Sequence, residues 1–275
     1  MLTSGVDGAI KAVFETFSTR QSKIAVLAPT YKMYEVYAEV FGTTLEKIQS
    51  QKNLSIDINE VLNAVLSNEI VFIPNPHEPV ENVFSKEQIL DITRRAAANN
   101  TLVVIDEAYF MFGAPTVINL IHQCNNLLVM RSFSKGWGLP AIRLGYIAGN
   151  KELISKMTSY RLAYETNSPS LWIAGWALDN FDIFKGYIEE IVSTRTFIKD
   201  SLTEGGFKVH GSYSNTILIN LSTEDHALVV HKKLRDQDIW VRELTEFPNI
   251  STWLSVTIGK KSTISKFLEV FYSIA

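Results

Sequence analysis

The chain has 275 residues, 46% hydrophobic and 20% charged, with a formal net charge of −3. That length suffices for one large domain, or a large and a small one, around a well-buried core, and the slightly acidic balance excludes the basic excess that holds a phosphate backbone, so no nucleic acid is expected as partner. The single Cys124 excludes an internal disulfide framework and a CxxC metal or redox site, so no metal is expected and a reducing, cytoplasmic setting fits; MLTSGVDGAI lacks a basic-then-apolar signal, and no apolar run reaches the roughly 20 residues of a membrane span.

In chain order, VDGAIKAVFETF (6–17) carries apolar residues at three- and four-residue spacing and predicts a helix; IAVLAP (24–29) is apolar throughout and predicts a buried strand. DINEVLNAVL (57–66) and SKEQILDITRRAAA (85–98) repeat the helical pattern. EIVFIP (69–74), TLVVID (101–106), NLLVMRS (126–132) and LGYIAG (144–149) repeat the strand pattern. This alternation predicts an α/β domain with a mostly parallel central sheet. Beyond residue 150 a long helical stretch (168–203) leads to FKVHGSYSNTILINLS, whose NTILINL alternates like a half-exposed strand, and to helices near 224–236 and 262–273. The expected organisation is a large domain over 1–165, a linking helix over 166–203 and a smaller C-terminal α+β domain over 204–275.

In a parallel sheet, ligands sit beyond the carboxyl ends of the strands. TLVVID ends in Asp106, followed by Glu107, Ala108 and Tyr109; NLLVM leads into Ser132, Ser134 and Lys135, with Arg143 eight residues after the lysine. Alone, such an Asp reads as a turn or cap residue and such a Lys as a solvated one. Together with Arg143 and the small-residue turn at 3–8 they describe a holder for pyridoxal phosphate. That cofactor needs a lysine for a Schiff base, an acid beside its pyridinium nitrogen and donors for its phosphate. A dry pocket would also lower the lysine's pKa, making it a competent base. Amides near Gly5, Val6 and Asp7 at a helix start, with the Arg143 guanidinium, suit the phosphate.

The strings TSGVDGAI, APTYKMY, NPHEPV, IDEAYF and SFSKGWGLPAIRLGY, in this order, resemble the fold-type I pyridoxal-phosphate-dependent aminotransferases, most of all the histidinol-phosphate aminotransferase group. IWVREL and WLSVTIG extend the resemblance into the C-terminal region. The resemblance implies the fold of that group, a homodimer with active sites at the subunit interface, and a small-molecule amine or keto substrate. It implies Lys135 as Schiff-base lysine and proton shuttle, Asp106 at the pyridinium nitrogen and Tyr109 on the phenolic oxygen. It further implies Tyr31 stacked on the ring, and Ser132, Arg143 and the amides around Val6 and Asp7 on the phosphate.

Three departures accompany it. Glu78 of NPHEPV stands where the group has an asparagine that donates to the phenolic oxygen. A carboxylate donates only when protonated. So Glu78 carries a proton, or it turns away and His77 or a water serves, or the ring is held differently. Ser255 of WLSVTIG stands where the group has an arginine that clamps the substrate α-carboxylate, a strong charge-assisted contact. Arg242 of IWVREL matches a second arginine, associated with the substrate's phosphate or distal acid; Asn167, beside Arg161, Tyr164 and Glu165, is a further substrate-binding candidate. Finally, TSGVDGAI follows a leading segment of several dozen residues in that group, whereas here it starts at residue 3.

The leading expectation is an aminotransferase acting on a small polar, possibly phosphorylated, amine or its ketone. The alternatives are a pyridoxal-phosphate-dependent decarboxylase of amino acids or phospho-amino acids, and a family member that keeps the fold without turnover.

Overall fold

The computed structural model describes all 275 residues. The chain runs β1 (Leu2–Thr3), α1 (Gly5–Phe17), β2 (Lys23–Ala28), α2 (Met33–Phe41), β3 (Thr44–Gln49), α3 (Ile58–Ser67), β4 (Ile70–Pro74), α4 (Lys86–Ala97), β5 (Leu102–Asp106), β6 (Leu127–Ser132), β7 (Gly145–Gly149) and α5 (Lys151–Tyr160). It continues through α6 (Ser168–Asp179), α7 (Phe181–Glu204), β8 (Lys208–His210), β9 (Thr216–Asn220), α8 (Glu224–Arg235), β10 (Arg242–Glu243), β11 (Trp253–Thr257) and α9 (Lys261–Ile274).

The first seven strands form one sheet in the order β1-β7-β6-β5-β4-β2-β3. Pairing is parallel from β3 through β6 and antiparallel at β6–β7 and β7–β1. The apolar runs make this possible, because β4 and β5 are buried along their whole length. Their side chains feed two apolar layers, one against α3 and α4 and one against α1 and α2. This is the α/β architecture with a mostly parallel sheet that the alternation predicts. Order reverses at β2, whose neighbours are β3 and β4, so the loops after β2 and β4 part at their carboxyl ends and open a crevice there.

Elements with weaker patterns are additions to the sequence reading. TLEKIQ of β3 is a half-exposed edge strand, and MYEVYAEVF of α2 is short, capped by Gly42 with φ +67. The long helix expected over 168–203 is two helices, interrupted at Asn180, whose backbone leaves helical geometry (φ −116, ψ 38). A second sheet, β10-β11-β9-β8, is antiparallel throughout and packs its apolar face on α7, α8 and α9.

The two sheets are tied by the loop after β4. Asn75 pins that loop, its Oδ1 accepting from the Phe84 amide at 2.8 Å and its Nδ2 donating to the Phe84 carbonyl at 3.1 Å. Glu81, at φ +52 in the left-handed region that favours glycine, directs its carboxylate onto the backbone amides of Ser212, Tyr213 and Ser214 in the β8–β9 turn. Arg195 of α7 donates to the Ser214 and Phe112 carbonyls, gripping the same turn from the other side.

Candidate active site

Beyond the carboxyl ends of β2, β4, β5 and β6 lies a cleft of about 570 Å³, closed on its far side by β10 and β11. Val6, Asp7, Tyr31, Glu78, Asp106, Tyr109, Ser132, Lys135, Arg143 and Arg242 all line it, residues up to 236 positions apart that the sheet order brings together. Gly5 stands immediately behind. Its φ is +70, and a Cβ there would lie 3.1 Å from Arg143 Nη2, so only glycine leaves the helix start and the guanidinium this close. Gly145 serves the same approach from β7, where a Cβ would meet the Arg131 carbonyl and the Gly5 backbone at 2.8 Å.

Asp106 is 8% exposed. Its Oδ2 accepts from Tyr34 at 2.8 Å and its Oδ1 from the Ala108 amide at 3.0 Å. Burial lifts its pKa to about 6, against the pull of those donors and of Lys135. Its neighbour Glu107 has a structural role: buried, it receives Arg131 at 2.8 Å and the Val117 amide at 2.6 Å. Lys135 Nζ sits 4.9 Å from the Tyr109 ring centroid. Burial alone would lower the Lys135 amine, but Tyr109, Glu78 and Asp106 outweigh it and hold the amine above its ordinary value. The lowered lysine pKa expected of a dry pocket is therefore corrected, because three acidic groups surround the amine.

At the other end of the cleft, α1 begins without a side-chain cap from Ser4, leaving its first-turn amides without partners inside the helix. Arg143 reaches this end with φ +48 and pairs with Asp7 at 2.8 Å, while Tyr31 donates to the other Asp7 oxygen at 2.8 Å. Asp7 thus brings its carboxylate as well as its amide. Ser132 Oγ accepts from the Ser134 amide at 2.9 Å, tightening the turn that presents Lys135. A buried acid and an amine at one end, with a guanidinium and free helix amides at the other, fit a bound pyridoxal phosphate.

The question at residues 77 and 78 is resolved by their surroundings. His77 turns away, fully buried, with Nε2 2.7 Å from the Pro29 carbonyl and its pKa depressed by burial to about 4. Glu78 stays on the cleft: Oε2 accepts from Thr216 at 2.8 Å, and Oε1 is shut off from water without a partner. Burial raises its pKa to about 7.

Asn167 does not join the cleft. Its side chain accepts from the Ser170 amide at 2.9 Å and caps α6, the usual employment of an Asn before a Ser-Pro helix start. The residues unforeseen by sequence were Tyr34, Thr216, Trp240 and Thr257. Tyr34 lies in the first turn of α2, which begins at Met33, and the sequence reading placed no helix there. Thr216 and Thr257 are strand-end residues whose register sequence does not reveal, and Trp240 lies in the segment just before β10.

The sequence model of the family described as aminotransferase class I and II matches residues 1–271. A histidinol-phosphate aminotransferase of Thermotoga neapolitana is 34% identical over 249 residues, 88% of this chain and 69% of that protein. Among solved structures, the histidinol-phosphate aminotransferase of Clostridium acetobutylicum superposes with a TM-score of 0.90 at 23% identity, covering 100% of this chain and 83% of that one. The Sinorhizobium meliloti histidinol-phosphate aminotransferase, solved in complex with pyridoxal-5'-phosphate, gives 0.88 at 20%, covering 100% and 77%. No helix is long and apolar enough to cross a membrane. With the fold, the cleft and the match along nearly its whole length in agreement, this chain belongs to the pyridoxal-phosphate-dependent aminotransferase class I and II family.

Proposed function

We propose that this chain transfers an amino group between a small polar, phosphate-bearing amine and a keto acceptor. The observation that carries this is the placement of the Lys135 amine among Tyr109, Glu78 and buried Asp106, at one end of a cleft whose other end offers Arg143 and free helix amides. When bound, pyridoxal phosphate supplies an electron sink that stabilises the carbanion formed next to the amine nitrogen. Lys135 is the residue that would hold the cofactor through its amine, and once freed that amine would serve as the proton carrier. Asp106 would supply the negative charge that pairs with the cofactor's ring nitrogen; Tyr34 and the Ala108 amide fix the orientation of its carboxylate. Arg143, shared between Asp7 and the phosphate, and the amides of Val6 and Asp7 anchor the other end. Arg242 receives the acid of the substrate. The relative from Thermotoga neapolitana is named for a phosphorylated amine, which supports this class. Decarboxylation would require an α-carboxylate held firmly across the ring, and position 255 offers a hydroxyl for it.

The test is absorbance of the purified protein titrated with pyridoxal phosphate. Wild type should develop the visible band of a lysine-bound cofactor and Lys135→Ala should not. Absence of the band in wild type would instead support a protein that keeps the fold without turnover. A homodimer in a reducing cytoplasm is part of the same proposal. It is supported by the buried, unpaired Cys124 and by an apolar surface on and beside α6, where Trp172 is 73% and Tyr164 97% exposed.

A further inference from the structure

The far wall of the cleft is written by the register of the second sheet. Thr216 pairs with Thr257 across β9 and β11, and Arg242 pairs with Ser255 across β10 and β11. Side chains of such opposed residues share a face, and all four line the cleft. The wall is therefore a row of hydroxyls, Thr216, Thr257 and Ser255, with the Glu78 carboxyl hydrogen-bonded at one end and Arg242 at the other.

The charges of the cleft count out simply. Its lining holds the cations Lys135, Arg143 and Arg242 and the carboxylates Asp7, Glu78 and Asp106. Lys135 and Arg143 face the cofactor. That leaves Arg242, paired at the surface with Glu246 and lying over the Phe247 ring, as the single cation this chain supplies on the substrate side. One acid of a substrate can be matched there. A second acid against this wall would meet hydroxyls and the carboxyl of Glu78, with burial opposing any uncompensated charge. Resting on the aminotransferase reading, we propose that Glu78 and Ser255 are specificity-determining residues that admit amines carrying one acid group and exclude those carrying a second, including ordinary dicarboxylic and phosphorylated α-amino acids.

O-phosphoethanolamine and O-phospho-L-serine differ by one carboxylate and serve as probes. Their dissociation constants for the holoenzyme are measured by isothermal titration. Wild type should prefer O-phosphoethanolamine by about tenfold or more, the scale of one charge-assisted contact. Ser255→Arg should reverse the order, and Glu78→Gln should tighten O-phospho-L-serine alone. Equal affinities in wild type, a preference for O-phospho-L-serine, or binding of neither probe would overturn the inference. The visible cofactor band is recorded on the same preparations before either probe is added. Its absence with the preference intact would overturn the aminotransferase reading and spare the wall, and its presence with the preference absent would do the reverse.

Discussion

Glu78 shows how one side chain joins the cofactor side of the cleft to the substrate side. Its ionised form is disfavoured by burial, so its folded pKa of about 7 lies above the ordinary carboxyl value. The linkage has a definite sign. Stability associated with the neutral carboxyl is fully present below the unfolded pKa and is lost as pH rises through about 7. Glu78→Gln cannot ionise and should escape that loss. Thermal melts of the apoprotein should therefore agree near pH 4.5 and favour the variant at pH 8; equal melts at both would mean the carboxyl is not desolvated. Asp106 follows the same sign with its own midpoint near 6, and its charge is needed for the chemistry. Asp106→Asn should weaken cofactor binding and slow single-turnover proton transfer by orders of magnitude. Unchanged turnover would remove it from the mechanism.

At the scale of elements, the loop after β4 has two duties in four residues. Glu78 faces the cleft, and Glu81 holds the β8–β9 turn through three backbone amides. Glu81→Gly relieves a left-handed backbone, a gain of about 1 kcal/mol. It also leaves the buried Ser214 amide without an acceptor, a cost of about 1–3 kcal/mol, to which the part-buried Ser212 and Tyr213 amides add a smaller amount. The net expectation is a loss of about 2 kcal/mol in urea unfolding, and a variant as stable as wild type would show that the turn is held by other contacts. The central strands β2, β4, β5 and β6 and most helices were legible because continuous apolar runs and three-to-four spacing survive in a single sequence. β3 was not legible, because an edge strand with one wet face reads like a loop. The break at Asn180 was equally hidden, since apolar residues continue on both sides of it and only backbone geometry marks the interruption. For the site, chemistry-bearing residues at strand tips could be read from SFSK, DEAYF and NPHEPV. Tyr34, Thr216 and Thr257 could not, because they enter through a helix face and through pairing register.

Across the whole molecule, the surface on and beside α6 is the largest departure from an ordinary wet exterior. Trp172, Trp176 and Leu178 are 73%, 44% and 58% exposed on a helix that is apolar nearly all round. A helix of that kind is normally buried. A second copy of the chain is the proposed cover. Light scattering should give a dimer for wild type and a monomer for the Trp172→Glu, Leu178→Glu pair; a monomeric wild type would remove the homodimer from the account. The chemistry proposed for this scaffold has Lys135 hold pyridoxal phosphate and an amino group pass through that cofactor. The most direct measurement is the visible absorbance of the reconstituted protein before and after addition of histidinol phosphate, the amine in its relatives' names. The lysine-bound band should disappear as the cofactor takes up the amino group, and return when a keto acid is added. A band that forms in Lys135→Ala as in wild type, or never forms, would contradict that chemistry.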